Sequence, residues 1–151
     1  MSTFTPQDAA FEERVRASFG RQRAMSTIGA DLVRVGPGEV EIRLAHREEL
    51  TQQHGFLHAG IVTAAVDSAC GYAALSLMPP EVGVLSVEYK VNFLAPARGE
   101  WYRVRGQVIK PGRTLTVCLG EVHAHTGDQE TLVATMMATI MAVRGRAGGA
   151  D

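Results

Sequence analysis

Nothing in this sequence leans hard on one kind of residue. Only two cysteines occur, Cys70 and Cys118, each isolated in an apolar stretch. That excludes a disulfide framework or a cysteine metal knuckle and reads as two reduced core thiols. No sign of charge dominates. The 15 basic and 16 acidic side chains leave a net charge of −1, which gives no footprint for nucleic acid. Met1 to Pro6 lacks a basic patch followed by an apolar core. No leader peptide is therefore expected, and the reading is cytoplasmic. Internal repeats are missing too. The only low-complexity stretch is the tail 145–151, which is expected to fray.

What remains is an ordinary globular composition. With 151 residues, 46% of them apolar and 21% charged, the chain suits one domain with a sizeable core. It is organised around about 59–78, AGIVTAAVDSACGYAALSLM. Apolar residues fall on every side of the helical wheel, so the spacing predicts a buried central helix. Thr63, Ser68, Gly71, Tyr72, Ser76 and the charge of Asp67 dilute the run, and Pro79-Pro80 stops it. Those interruptions argue against a membrane span. A buried carboxylate is costly unless bonded or wet. Asp67 therefore either sits at an exposed edge or faces a cleft and does chemistry.

Upstream, Thr5-Pro6-Gln7-Asp8 looks like a helix start, and Phe11, Val15 and Phe19 form one apolar stripe. An N-terminal helix over about 6–20 follows, with Arg14, Arg16 and Arg21 read as its solvated face. Ile28–Val35 and Glu39–Leu44, around Gly36-Pro37-Gly38, form a hairpin. His46 to Leu57 is a polar loop leading into the central helix. Val82 to Leu94 alternates strictly, with Ser86 on its polar face. Trp101–Ile109, Leu115–His125 and Thr131–Val143 complete the sheet, and Pro111-Gly112 suits a type II turn. The class is α+β: an antiparallel sheet wrapped around one long helix, with a core over about 25–143.

The segment Gln52 to Gly60, followed by Asp67, carries the candidate chemistry. The first amides of a helix lack internal partners and can donate to an oxygen that gains charge during acyl transfer. Asp67 lies eight residues past Ala59, about 12 Å along the axis. One helix cannot present both groups to one carbonyl. If both act on one substrate, a second copy must supply one of them, as in a two-fold dimer with antiparallel helices.

The element order, the HAG-x6-D segment (His58, Ala59, Gly60, Asp67) and the strand SVEYKVNFLAPA (Ser86 to Ala97) resemble the hotdog-fold acyl-CoA thioesterases of the PaaI type, over roughly Met25 to Val143. The resemblance implies hydrolysis of acyl- or aryl-CoA. It places the oxyanion donor on the Ala59 amide and the nucleophile or general base on Asp67. It puts a water- or carbonyl-orienting residue on Gln52 and a supporting hydroxyl on Ser86. Lys110 and Arg113, with Arg98, are the candidate contacts to the CoA phosphates. His58 and Gly60 shape the substrate loop, and His54 is placed to assist at the leaving group. The motif of that family usually reads His-Gly-Gly. Ala59 departs from it, setting a methyl at the closest approach to substrate. No metal and no cofactor are implied, since CoA belongs to the substrate. The partner implied is a second copy of the chain, as a dimer or a dimer of dimers.

Two other readings fit the same residues. One is a hydroxyacyl-thioester dehydratase using His54 with Asp67, although the Pro-Gly pair usual in its site loop is missing. The other is a non-catalytic acyl-CoA-binding module. His54 and His58, four apart, lack a third metal ligand. Glu121, His123 and His125 read as a solvated or dimer-facing strand face.

Overall fold

The computed structural model describes residues 3–145, so most of the tail 145–151 lies outside the described residues. The elements run α1 (Phe11–Arg21), α2 (Arg23–Ile28), β1 (Ala30–Gly36), β2 (Glu39–Ala45), α3 (Ala59–Leu75), β3 (Gly83–Phe93), β4 (Trp101–Lys110), β5 (Leu115–Thr126) and β6 (Gln129–Val143). The strands form one antiparallel sheet in the order β1-β2-β4-β5-β6-β3, and α3 packs across it. The expected α+β architecture is present. Among the described residues no helix is long and apolar enough to cross a membrane.

The helix lies very close to the sheet. Gly106 on β4 and Gly120 on β5 are direct cross-strand partners beneath α3. A Cβ on Gly106 would stand 2.3 Å from the Ala69 carbonyl, and one on Gly120 would stand 2.4 Å from a Val66 methyl. The pair leaves a bare strip on which the backbone of α3 rests. Val66, Ala69, Cys70 and Ala73 are fully buried there, with Val104, Val122 and Met136 around them.

Several elements differ from the sequence reading. The N-terminal helix begins at Phe11, because Phe4 packs on the core and the Gln7 amide donates to the Leu77 carbonyl. Asp8, not Thr5, sets the entry, with Oδ1 accepting the Ala10 N–H at 2.9 Å. Arg23–Ile28 is helical where Ile28 was read as strand; Gly29, at φ 71°, ends that turn. Arg14 is not solvated. Its guanidinium donates to the carbonyls of Leu75 (3.2 Å), Met78 (2.7 Å) and Val82 (3.4 Å), and pairs with Asp8 at 2.8 Å. It thus supplies a cation to the last carbonyl of α3 and to two carbonyls of the segment that follows. The central helix stops at Leu75, short of Met78, in turns in which Ser76 Oγ bonds the Ala73 carbonyl and the Gly38 amide. Gly112 has no positive φ, so Pro111-Gly112 is not a type II turn.

The strict alternation of β3 is broken by a bulge at Val87. Ser86 pairs with Ile140, but Glu88 pairs with Thr139, so the faces exchange across the bulge. Val84 and Ser86 face α3 before it; Tyr89, Val91 and Phe93 share that face after it, opposite Ala138, Met136 and Ala134. The strand is the outer edge of the sheet and is not half-buried. Most of its side chains are exposed.

Candidate active site

The N-terminus of α3 is built by a closed loop. Thr51 bridges to Leu57, the Gln52 amide donates to the Phe56 carbonyl at 2.9 Å, and Gly55 N–H returns to the Gln52 carbonyl at 2.9 Å. Gln52 Oε1 accepts the His54 N–H, which fixes the amide side chain over the turn. His58 is the N-cap. Its Nδ1 accepts the Gly60 N–H at 2.8 Å, and its carbonyl takes the Ile61 and Val62 amides. Because Nδ1 accepts, the neutral ring carries its proton on Nε2. Among the described residues this leaves the Ala59 amide as the first-turn donor without an acceptor. Ala59 and Gln52 share a small pocket of about 160 Å³ with Val62 and Phe93.

Asp67 sits two turns further on. It is half-buried, and Ser86 Oγ on β3 donates to its Oδ1 at 2.7 Å. Both open into a cavity of about 530 Å³ between α3, β3 and α1. The pair that the sequence placed 19 residues apart is therefore joined, while Gln52 and Ala59 stand at a different hollow of the same chain.

The same cavity contains residues the sequence reading passed over. Ser68, Gly71 and Tyr72 stand beside Asp67 on its face of α3, and the far side is closed by Ser18 and Arg21 of α1 and by Gln22, its C-cap. Tyr72 Oη lies 3.3 Å from Ser18 Oγ, and Gln22 Nε2 donates to Ser68 Oγ at 3.2 Å. Phe19 meets Tyr72 edge-on at 5.7 Å. Burial pushes the Tyr72 phenol above its ordinary range, against the opposing pull of the Ser18 hydrogen bond and the Arg21 charge. The spacing Asp67, Ser68, Gly71, Tyr72, Leu75 on one helix face was the available signal.

The candidate CoA contacts divide between two ends. Arg98 lies with its guanidinium 5.2 Å over the Phe56 ring, near the start of α3. Lys110, at the end of β4, and Arg113, in the β4–β5 loop, are exposed, and Arg113 borders a groove with Met78 and Pro79, near the end of α3. Within one chain they do not converge. His54 is exposed on the Gln52 loop. His123 and His125 are not simply solvated. His125 stacks on Trp101 at 3.9 Å beneath Arg43, and Glu130 stands 3.7 Å away. Among the described residues no cluster of His, Cys, Asp and Glu is arranged to hold a metal. Cys70 and Cys118 are buried, and burial raises both thiols, that of Cys118 to about 12.

A family model described as the Thioesterase superfamily matches residues 54–131. The crystal structure of a thioesterase family protein from Silicibacter pomeroyi is similar over 89% of this chain and 99% of that one, at 53% identity and TM-score 0.88. Acyl-coenzyme A thioesterase 13 of Homo sapiens is 34% identical over 85 residues, 56% of this chain; the match spans 60% of that protein's length. The E. coli PaaI protein, from the phenylacetic acid degradation operon, shares the fold over 88% of this chain and 93% of that one, with TM-score 0.80 at 17% identity.

Proposed function

The chain belongs to the Thioesterase superfamily, with the hotdog fold of PaaI, and from that membership we propose that it hydrolyses acyl-CoA thioesters at a site shared by two copies. Thioester hydrolysis in general is the activity that the family carries. The finer reading rests on one observation above all: Asp67, held by Ser86, faces a cavity large enough for an acyl group.

The second copy follows from the edge of the sheet. β3 is 11 residues long and unpaired on its outer side, with Tyr89 45% and Phe93 50% exposed. A long apolar edge is a template for another strand. Antiparallel pairing of β3 with its own copy lays two α3 helices side by side, running opposite ways. Each Ala59 amide then approaches the Asp67 of the other chain. The same operation carries the Arg98 end of one protomer toward the Lys110–Arg113 end of its partner, so that both face one CoA.

The thioester carbonyl accepts the Ala59 N–H. Asp67 attacks the carbonyl carbon or takes a proton from the attacking water, and charge collects on the carbonyl oxygen at the helix N-terminus. Collapse breaks the C–S bond, and the thiolate takes a proton as CoA departs; where Asp67 attacks directly, water then hydrolyses the acyl–Asp67 anhydride to the free acid and restores the carboxylate. Gln52 orients the water or the carbonyl, and Ser86 holds Asp67. The test is thiol release from a panel of acyl- and aryl-CoA esters, with wild type beside Asp67→Asn. Release by wild type and its loss in the variant supports the reading; equal release by both overturns it.

A further inference from the structure

The turn that delivers the Ala59 amide is anchored from outside its own helix. Leu57 and His58, the two residues before Ala59, donate their N–H groups to the carbonyls of Ala97 at 3.0 Å and Leu50 at 2.9 Å. Both acceptor residues are buried. The Ala97 carbonyl also takes a second donor. Tyr102 Oη, on β4, donates to it at 2.9 Å, and His46 Nδ1 lies 3.1 Å from the same Oη. A phenol has one hydrogen, and a carbonyl only accepts. Tyr102 has therefore given its hydrogen to Ala97, and His46 is the donor to Tyr102. That assigns the proton of the neutral His46 ring to Nδ1. Tyr102 is fully buried. Burial pushes its phenol above the ordinary range, against the pull of a hydrogen bond from the Gly99 backbone, so the hydroxyl stays a donor.

We infer that His46, Tyr102 and Ala97 form a positioning relay, in which Tyr102 fixes the Ala97 carbonyl and through Leu57 sets the direction of the Ala59 N–H. This rests on the thioesterase reading above, in which that N–H receives the thioester oxygen. The hydroxyl is not needed to fill space, because phenylalanine has the same ring. Nor is it needed to satisfy Ala97, whose carbonyl already holds the Leu57 N–H. What it adds is a tie between the sheet and a turn with little else to fix it. Pro96, before Ala97, has no N–H, and Arg98, after it, donates back to the Pro96 carbonyl at 2.8 Å. Ala97 and Leu57 also wall the small pocket that Gln52 and Ala59 share. An oxyanion donor acts over a narrow range of distance, about 2.7–3.1 Å, so a small drift of this turn weakens the contact while the helix stands.

The test reads the polarisation of the bound carbonyl. Asp67→Asn holds the ester unhydrolysed, and difference infrared spectroscopy follows the carbonyl stretch of the ester that wild type hydrolyses fastest, isotope-labelled at that carbon. The stretch is expected to fall on binding, and adding Tyr102→Phe should return it toward the value of free ester. With Asp67 intact, Tyr102→Phe should lower kcat about ten-fold, the scale of one neutral hydrogen bond, and leave KM nearly unchanged. His46→Leu removes the donor to Tyr102 at a half-buried position. It should act in the same direction by a smaller amount, and it decides the matter where circular dichroism shows Tyr102→Phe unfolded. A full downshift in both variants, or a loss confined to KM, overturns the relay and leaves hydrolysis intact. No downshift in Asp67→Asn itself removes the Ala59 donor, and no thiol release by wild type removes the thioesterase reading; the relay falls with either.

Discussion

Ser86 Oγ donates to Asp67 Oδ1 at 2.7 Å, tying the edge strand to the central helix at the mouth of the cavity. The bulge at Val87 makes this contact compatible with the rest of β3. It lets Ser86 face α3 and then returns Tyr89, Val91 and Phe93 to that same side. The expected outcome is graded. Asp67→Asn lowers kcat by about 10³-fold, the middle of the general-base range. Ser86→Ala removes only one hydrogen bond to the carboxyl and lowers kcat by roughly ten- to a hundred-fold. Steady-state thiol release measures both. An Asp67→Asn enzyme as active as wild type would sink the assignment.

Ala59 is the first residue of α3, and His58 before it has extended geometry at φ −60° and ψ 136°. Proline is tolerated at that position and after such a residue. Ala59→Pro thus deletes the candidate oxyanion donor and leaves the helix standing. A loss of about 10²–10³ in kcat is expected, with an unchanged far-ultraviolet spectrum. Mixing Ala59→Pro with Asp67→Asn tests the shared site directly. A mixed dimer contains one site with both groups intact, so activity returns on mixing two inactive proteins. No recovery, with exchange of subunits verified, argues that each chain works alone.

Tyr89→Asp places a charge on the exposed edge of β3 without touching Asp67 or Ala59. Light scattering is expected to report a dimer for wild type and monomers for the variant, and thiol release should fall with the loss of dimer. Monomers of full activity would contradict the shared site.

Gly106→Ala is expected to destabilise the fold by about 3 kcal/mol or more, read from urea unfolding. The added methyl meets backbone atoms of Ala69 and Cys70, and neither the strand nor the helix can yield there alone. Gly120→Ala meets the Val66 side chain first and is expected to cost less.

The two thiols give a pH prediction. Burial raises both above their ordinary range, so the folded protein keeps them protonated. At pH 8 a thiol reagent should find almost no protein thiolate, and unfolding should release two thiols per chain. In the unfolded chain a thiol titrates near about 8.5. Above that value the unfolded state loses protons that the folded state keeps. Stability therefore falls as pH rises from about 8.5 toward the folded value near 12 for Cys118. Replacing Cys118 by Ala should flatten that slope.

Much of this architecture was legible in the chain itself. The apolar run from Ala59, the turn at Gly36-Pro37-Gly38 and the alternation from Trp101 onward are local patterns, and local patterns survive folding. Asp67 stood out as an isolated charge on a buried helix, Ser86 was pointed to by the family resemblance, and the hydrogen bond that joins them appears only in the structure. What was hidden depends on distant residues. Arg14 reads as one more surface cation until the carbonyls of Leu75 and Met78 are brought to it. Tyr72 reads only as an interruption of the apolar run until Ser18 meets it across 54 residues. Ile28 reads as strand because a single helical turn has no periodicity to show. The bulge at Val87 is not marked in the sequence, which alternates straight through it, although it exchanges the faces on either side.

The position of β3 bears on how this protein is made. The strand is synthesised before β4, β5 and β6, yet its one neighbour in the sheet is β6, the last of them. At about 5–20 residues per second, the ribosome needs several seconds to deliver that neighbour. For that interval Gly83–Phe93 has no sheet neighbour to pair with, whereas β1 and β2, adjacent in sequence, can pair as soon as both are made. Nascent chains on one messenger carry the same ribbon side by side. The edge proposed to join two subunits is thus also the segment most exposed to premature contact between unfinished ones, and Glu88, Lys90 and the kink at Val87 lie within it as brakes.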